Sequence, residues 1–171
     1  MGAKDHKEAA SKDDIVARVA ILTVTDTKTR ETDTSGRGAF ELFRKHGHTV
    51  VYHEIVANKK KKIEATAMTA LRDADVVLTI GGTGISHKDQ SVDAVLPLLK
   101  KVMPGFGELF RAFSVKDIGT ATILSRVVMG VTEKYKLIVC LPGSEAAVKL
   151  GLEGILLPEL KHILWELKRY S

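Results

Sequence analysis

The sequence predicts an α/β domain built on a largely parallel sheet. Short β-branched apolar runs recur along the 171-residue chain, and stretches with helical apolar spacing lie between them. Three of the apolar runs end in small or polar residues: Thr23-Val24-Thr25-Asp26, Gly81-Gly82-Thr83-Gly84 and Pro142-Gly143-Ser144. Strands that alternate with helices favour parallel pairing. Open α/β sheets bind their ligands outside the carboxyl ends of the strands.

The elements follow in order. Residues 1–14 are polar and mixed in charge, too poor in apolar groups to fold, so they read as a disordered tail. A single domain is expected over residues 15–171. Residues 17–24 (ARVAILTV) form a run short enough for a buried strand. A helix follows to about residue 45, with Ser35 as its expected N-cap and Gly47 as its terminator. Residues 48–56 predict a second strand, residues 63–72 a helix, and residues 75–80 (DVVLTI) a third strand buried on both faces. Residues 90–101 carry Val92, Val95, Leu96 and Leu99 at amphipathic spacing, with Pro97 as a kink or a first turn. A short helix is expected at 107–113, a strand or hairpin arm at 127–131 and a strand at 135–141. Helices at 144–150 and 152–169 close the chain, the last with a stripe of Leu156, Leu160, Ile163, Leu164 and Leu167.

Composition excludes several functions. Lys and Arg number 26 against 21 Asp and Glu, a net charge of +5. Four of those cations are Lys59, Lys60, Lys61 and Lys62, so the basic character is one run on a nearly neutral body. Aromatic residues are 5 %, few for stacking bases, and no nucleic acid is expected as a partner. The lone Cys140 rules out an internal disulfide and a Cys-based zinc site, and its apolar strand predicts an inert thiol. No apolar run approaches the roughly 20 residues of a membrane span, and no signal peptide is evident, so a cytoplasmic location is expected.

The 81–84 loop is the most informative motif. Its glycines let backbone N–H groups approach an anion, although a tight strand-to-helix turn would need them too. It is neither a Walker A motif nor the dinucleotide fingerprint, since His87 stands where the third glycine belongs. Asp89 and Asp93 follow, four apart, and share one side of a helix if both are helical. A carboxylate beside a phosphate needs a bridging cation such as Mg²⁺; otherwise either Asp serves as a cap. Arg126, after Ser125, is a candidate anion holder or a surface residue, and Glu108 a functional acid or a first-turn residue. His46 and His48 read as solvated.

With these residues in view, the chain resembles the MoaB/MogA family of molybdenum cofactor biosynthesis proteins over residues 19–160. The likeness rests on Thr79-Ile80-Gly81-Gly82-Thr83-Gly84 with Asp89, and on Met103-Pro104-Gly105-Phe106-Gly107-Glu108. It extends to Ile118-Gly119-Thr120, Leu124-Ser125-Arg126, Leu141-Pro142-Gly143-Ser144 and Asp33-Thr34-Ser35-Gly36. The stretch 118–126 looks closer to the MoaB branch. The resemblance implies a three-layer α/β/α sandwich that binds molybdopterin. In catalytic members the terminal phosphate of molybdopterin attacks the α-phosphorus of ATP with Mg²⁺ present. It places Asp89 first for the catalytic and metal role. Gly81, Gly82, Thr83, Gly84, Thr25, Asp26, Ser35, Glu108, Ser125, Arg126, Pro142, Gly143 and Ser144 stand as substrate-binding candidates. It also implies a homotrimer or hexamer and contacts with other proteins of the pathway; Phe106, Leu109, Phe110 and Phe113 are either that interface or core. One departure stands out. Catalytic members carry an aspartate after the second strand, where this chain reads Ala57-Asn58. Asn58 brings no charge, so either Asp89 alone suffices or Asp93 or Asp26 compensates. The alternative is a catalytically weak molybdopterin-binding or carrier protein.

Overall fold

Successive side chains of a strand point to opposite faces, so a strand apolar at every position needs cover on both sides. The computed structural model, which describes residues 15–169, supplies that cover. The expected tail at 1–14 lies outside the described residues. Six strands form one sheet: β1 (Arg18–Val24), β2 (Thr49–Val56), β3 (Val76–Ile80), β4 (Leu99–Val102), β5 (Val128–Thr132) and β6 (Leu137–Leu141). Their order is β2-β1-β3-β6-β5-β4. The β2-β1-β3-β6 portion is parallel, and β5 runs antiparallel to both its neighbours.

The helices are α1 (Thr34–Lys45), α2 (Lys60–Ala70), α3 (Ser91–Val95), α4 (Pro104–Ile118), α5 (Glu145–Gly151) and α6 (Leu157–Lys168). Val19, Ile21, Val76, Leu78, Leu137 and Val139 meet α1, α4, α5 and α6 on one face. Ala20, Leu22, Val77, Ile138 and Cys140 meet α2 and α3 on the other. This is the expected three-layer sandwich.

Local chemistry fixes several boundaries. Gly47 takes φ +78 after α1; its N–H donates to Arg44 O, and the His48 N–H donates to Phe43 O. This double bond closes the helix end as a Schellman turn. The N-cap of α1 is Asp33, whose Oδ1 accepts from the Gly36 N–H at 2.9 Å, and not Ser35 as the sequence predicts. Asp33 is fully buried; its Oδ2 accepts from Thr23 Oγ1 at 2.6 Å and lies 3.2 Å from His53 Nε2.

Other expectations are corrected. The helix predicted over 90–101 stops at Val95, passes through a 3₁₀ turn with Pro97, and becomes edge strand β4. Proline withdraws an N–H from the helix ladder, and pairing with β5 rewards the extended form. The short helix at 107–113 runs from Pro104 at N1 to Ile118. The break expected at Gly151 is a π-turn, Leu152–Leu156, leading into α6. His48 is buried, not solvated: its Nδ1 accepts from the Ala17 N–H at 3.2 Å. The aromatic stripe of α4 divides, with Phe106 and Phe110 in the core and Leu109 and Phe113 exposed. No described helix is long and apolar enough to cross a membrane.

Candidate functional site

The register sets Val24 opposite Val56 and Ile80 opposite Leu141, so β1, β2, β3 and β6 end on one rim. Because β5 runs antiparallel, the segment entering it, Ser125-Arg126, reaches that rim as well. The chain leaves β1 toward β2 on one side and returns to β3 on the other. That reversal opens the crevice in which α/β sheets hold ligands.

At the end of β3, Gly81 adopts φ +98 and Gly82 φ +66. A Cβ on Gly81 would lie 2.5 Å from Val24 O, so only glycine fits between the ends of β1 and β3. The loop is held from behind: Ser91 Oγ donates to Gly81 O at 2.6 Å, and the Ser91 N–H donates to Gly82 O at 3.0 Å. The Gly81 N–H donates to Leu141 O at 2.9 Å. Among the described residues no hydrogen bond uses the N–H groups of Gly82, Thr83 or Gly84. These three residues border a cavity of about 390 Å³. Asp89, Ser125, Pro142, Gly143 and Ser144 share its polar end, and Phe110, Ile118, Leu124 and Leu150 its apolar walls. Such a space suits a small ligand with a flat apolar body and one polar end.

The lining carries two carboxylates, Asp89 and Asp117, and no Lys, Arg or His. Asp89 Oδ2 accepts from the Ser86 N–H at 2.9 Å and lies 2.7 Å from where a Gly84 Cβ would be. An anion beside Asp89 therefore needs a cation that the lining does not supply. Among the described residues no three His, Cys, Asp or Glu side chains gather to hold a metal. The donor set fits a Mg²⁺ held by one carboxylate and by the ligand's own phosphates, not one caged by protein.

Eight expected residues line the cavity together: Gly82, Thr83, Gly84, Asp89, Ser125, Pro142, Gly143 and Ser144. Ser144 also caps α5, accepting from the Ala147 N–H at 3.2 Å. Others stand beside or behind it. Ser35 is buried outside the lining and donates from Oγ to Gly143 O at 2.7 Å, bracing the 142–144 loop. Thr25 Oγ1 accepts from the N–H groups of Thr27 and Lys28, a local turn. Asp26 Oδ1 accepts from the Asn58 N–H at 2.9 Å, and Asn58 Oδ1 accepts from the Gln90 N–H at 3.2 Å. Asn58 Oδ1 lies 3.0 Å from where a Gly82 Cβ would be, and neither Asp26 nor Asn58 is in the cavity lining.

Three expectations change. Asp89 precedes α3 and is not helical, so it shares no helix face with Asp93. Asp93 is ion-paired with Arg126, whose guanidinium holds the Asp93 carboxyl below the ordinary range. Arg126 is outside the cavity lining, and Glu108 is exposed on α4 past its first turn, outside the lining as well.

Sequence reasoning missed Ser91, Phe110, Ser114 and Asp117. The last three fall at i, i+4 and i+7 on one face of α4, a spacing that was legible. Cys140 is fully buried and its thiol is pushed up to about 12 by desolvation, as inert as expected.

Comparison with known proteins shows the family to which the chain belongs. A family model described as "Probable molybdopterin binding domain" matches residues 20–162. Molybdenum cofactor biosynthesis protein B of Bacillus anthracis is 44% identical over 172 residues, covering 99% of each chain. The Staphylococcus aureus protein of that name is 44% identical over 156 residues, covering 89% of this chain and 92% of its own. A crystal structure of a molybdenum cofactor biosynthesis protein B superposes with a TM-score of 0.87 at 43% identity, covering 92% of this chain and 99% of its own. The tungsten cofactor synthesizing protein MoaB from Pyrococcus furiosus gives 0.83 at 34% identity, covering 91% and 99%. The chain belongs to the molybdopterin-binding domain family of molybdenum cofactor biosynthesis proteins.

Proposed function

We propose that the chain adenylylates the terminal phosphate of molybdopterin with Mg-ATP and releases pyrophosphate. The observation that carries this reading is the run of three unspent N–H groups, Gly82 to Gly84, beside Asp89 in a cavity lined by no cationic side chain. A phosphate oxygen of molybdopterin attacks the α-phosphorus of ATP. The new oxygen–phosphorus bond forms as the bond to the bridging β-phosphate oxygen breaks, and pyrophosphate leaves with that electron pair. The substrate brings its own nucleophile, so the protein's work is alignment and charge balance. The loop amides bind and orient the phosphate, and Asp89 orients the cation that accompanies it. Mg²⁺ would neutralise charge on the transferring group. The apolar walls from α4 and α5 hold the pterin body and exclude water.

Incubation with molybdopterin and Mg-ATP should give adenylylated product and pyrophosphate. Asp89→Asn should lower turnover about 100-fold, the scale of losing one preorganised charge, while the fold survives. Unchanged turnover in that variant refutes the role given to Asp89.

A second reading, a carrier that binds without turnover, is favoured by Asn58. In the rim it accepts the Gln90 N–H as a carboxylate could, but adds no charge beside Asp26. Binding without product in the wild type, with turnover gained by Asn58→Asp, would establish the carrier. The homo-oligomer is proposed on exposed Leu109 and Phe113, which edge an apolar groove of about 450 Å³ with Met103 and Ile163. Sedimentation giving a monomer at micromolar concentration would refute it.

A further inference from the structure

The residues that would handle phosphate sit on a loop whose own bonds are local: the Asp89 N–H donates to Ser86 O at 2.9 Å, the Lys88 N–H to Ser86 Oγ at 3.2 Å, and Gln90 Nε2 to His87 O at 2.6 Å. After Gly84 the chain runs through Ile85, Ser86, His87 and Lys88, all exposed, and returns at Asp89. Both feet of this loop end on a single guanidinium. Arg126 Nε donates to Gly84 O at 2.8 Å, and Nη2 donates to Asp89 O at 3.0 Å. The far edge of the fork grips Asp93 on α3, Nη1 to Oδ1 at 3.2 Å and Nη2 to Oδ2 at 2.9 Å. The Arg126 N–H adds a bond to Thr83 O at 3.1 Å. Four of the five guanidinium N–H donors are thereby spent on the protein.

We propose that Arg126 is a positioning residue: it latches the 84–89 loop to α3 and so sets where the Asp89 carboxylate stands, without touching the ligand. This rests on the proposed role of Asp89. Three features support it. The positive charge of Arg126 is matched by Asp93, so it is not held in reserve for an anion. Asp89 has no cationic partner among its hydrogen bonds; its carboxylate is placed by the loop backbone, through Ser86 and against Gly84. The geometry also demands arginine. A planar fork reaches two carbonyls and a carboxylate at once, whereas a lysine ammonium is a point charge. Neighbouring Ser125 lines the cavity, and its buried Oγ has no hydrogen-bond partner among the described residues. One dipeptide thus borders the ligand space at Ser125 and clamps the neighbouring loop through Arg126.

The test uses the full chain with Arg126→Lys, and Asp93→Asn as a second variant that loosens the latch from the other side. Amide hydrogen exchange over residues 85–89 should quicken about tenfold or more in both, with the amides of β3 unchanged, because only a local opening is released. With molybdopterin and Mg-ATP, kcat should fall about 100-fold, the cost of misplacing a group by roughly 1 Å. The KM for molybdopterin should stay within about threefold, since no binding contact is lost. Unchanged exchange over residues 85–89 in both variants overturns the latch. A KM that rises at constant kcat also overturns it, because Arg126 would then be a ligand contact. If the wild type binds molybdopterin but forms no product, the adenylylation reading fails separately, and the exchange measurement alone decides the latch.

Discussion

Gly81→Ala probes the point where the fold and the site share one constraint. Gly81 sits at φ +98, where an L-residue is strained by about 1–2 kcal/mol. The added Cβ would lie 2.5 Å from Val24 O, a backbone atom at the end of a buried strand that has no rotamer to change. Forcing such a contact costs about 1–3 kcal/mol as the strands shift. The expected destabilisation is therefore about 2–5 kcal/mol, a large part of a stability of about 5–15 kcal/mol. Gly47→Ala is the control. Gly47 has φ +78, but nothing lies within 4 Å of its added Cβ. It should lose only the conformational part, about 1 kcal/mol after the stiffer unfolded chain is counted. Urea unfolding of both variants at equal m-value measures the difference. If the two lose the same stability within about 0.5 kcal/mol, the rim has slack and the close-approach argument is wrong. Gly81→Ala should also weaken molybdopterin binding, and Gly47→Ala should not.

Three further outcomes follow from named contacts. Lys136 donates from Nζ to Leu71 O at 2.5 Å and Ala74 O at 2.8 Å, capping the carboxyl end of α2; Lys136→Met should cost about 2–3 kcal/mol and lower Tm, and an unchanged melting curve would refute the cap. Burial, then Lys161 and His46, lowers the His48 pKa, so below about pH 6.5 the unfolded chain takes a proton that the folded chain refuses. Stability should fall there by at most about 1.4 kcal/mol per pH unit, and His48→Asn should flatten that slope in pH-dependent unfolding. Lys59, Lys60, Lys61 and Lys62 are exposed beside Asn58, so replacing them with Gln should slow anionic-ligand association chiefly at low salt; an equal effect at about 1 M salt would contradict steering.

Much of the fold was legible because its signals are local. Continuous apolar runs in β1, β3 and β6 announced strands covered on both faces, and Gly47 announced the end of α1. Where local signals conflicted, the reading failed. The 90–101 stretch has helical spacing, yet Pro97 and an unpaired edge at β5 turned its second half into β4. Ser35 has a cap's chemistry, but Asp33, two residues earlier, could also reach Thr23 and His53, and took the position.

The candidate site divides in the same way. The sequence by itself determined the glycine loop after β3, Asp89 after it, and the Pro142-Gly143-Ser144 turn, since each is a short motif at a strand end. Only the tertiary structure decided which neighbours those motifs meet. Arg126 reaches Gly84 across 42 residues, and Ser35 reaches Gly143 across 108. Asp117 comes to the cavity because α4 runs to the same rim before the chain enters antiparallel β5. A side chain's type sets which bonds it can make, but strand order sets which partners come within about 3 Å of it.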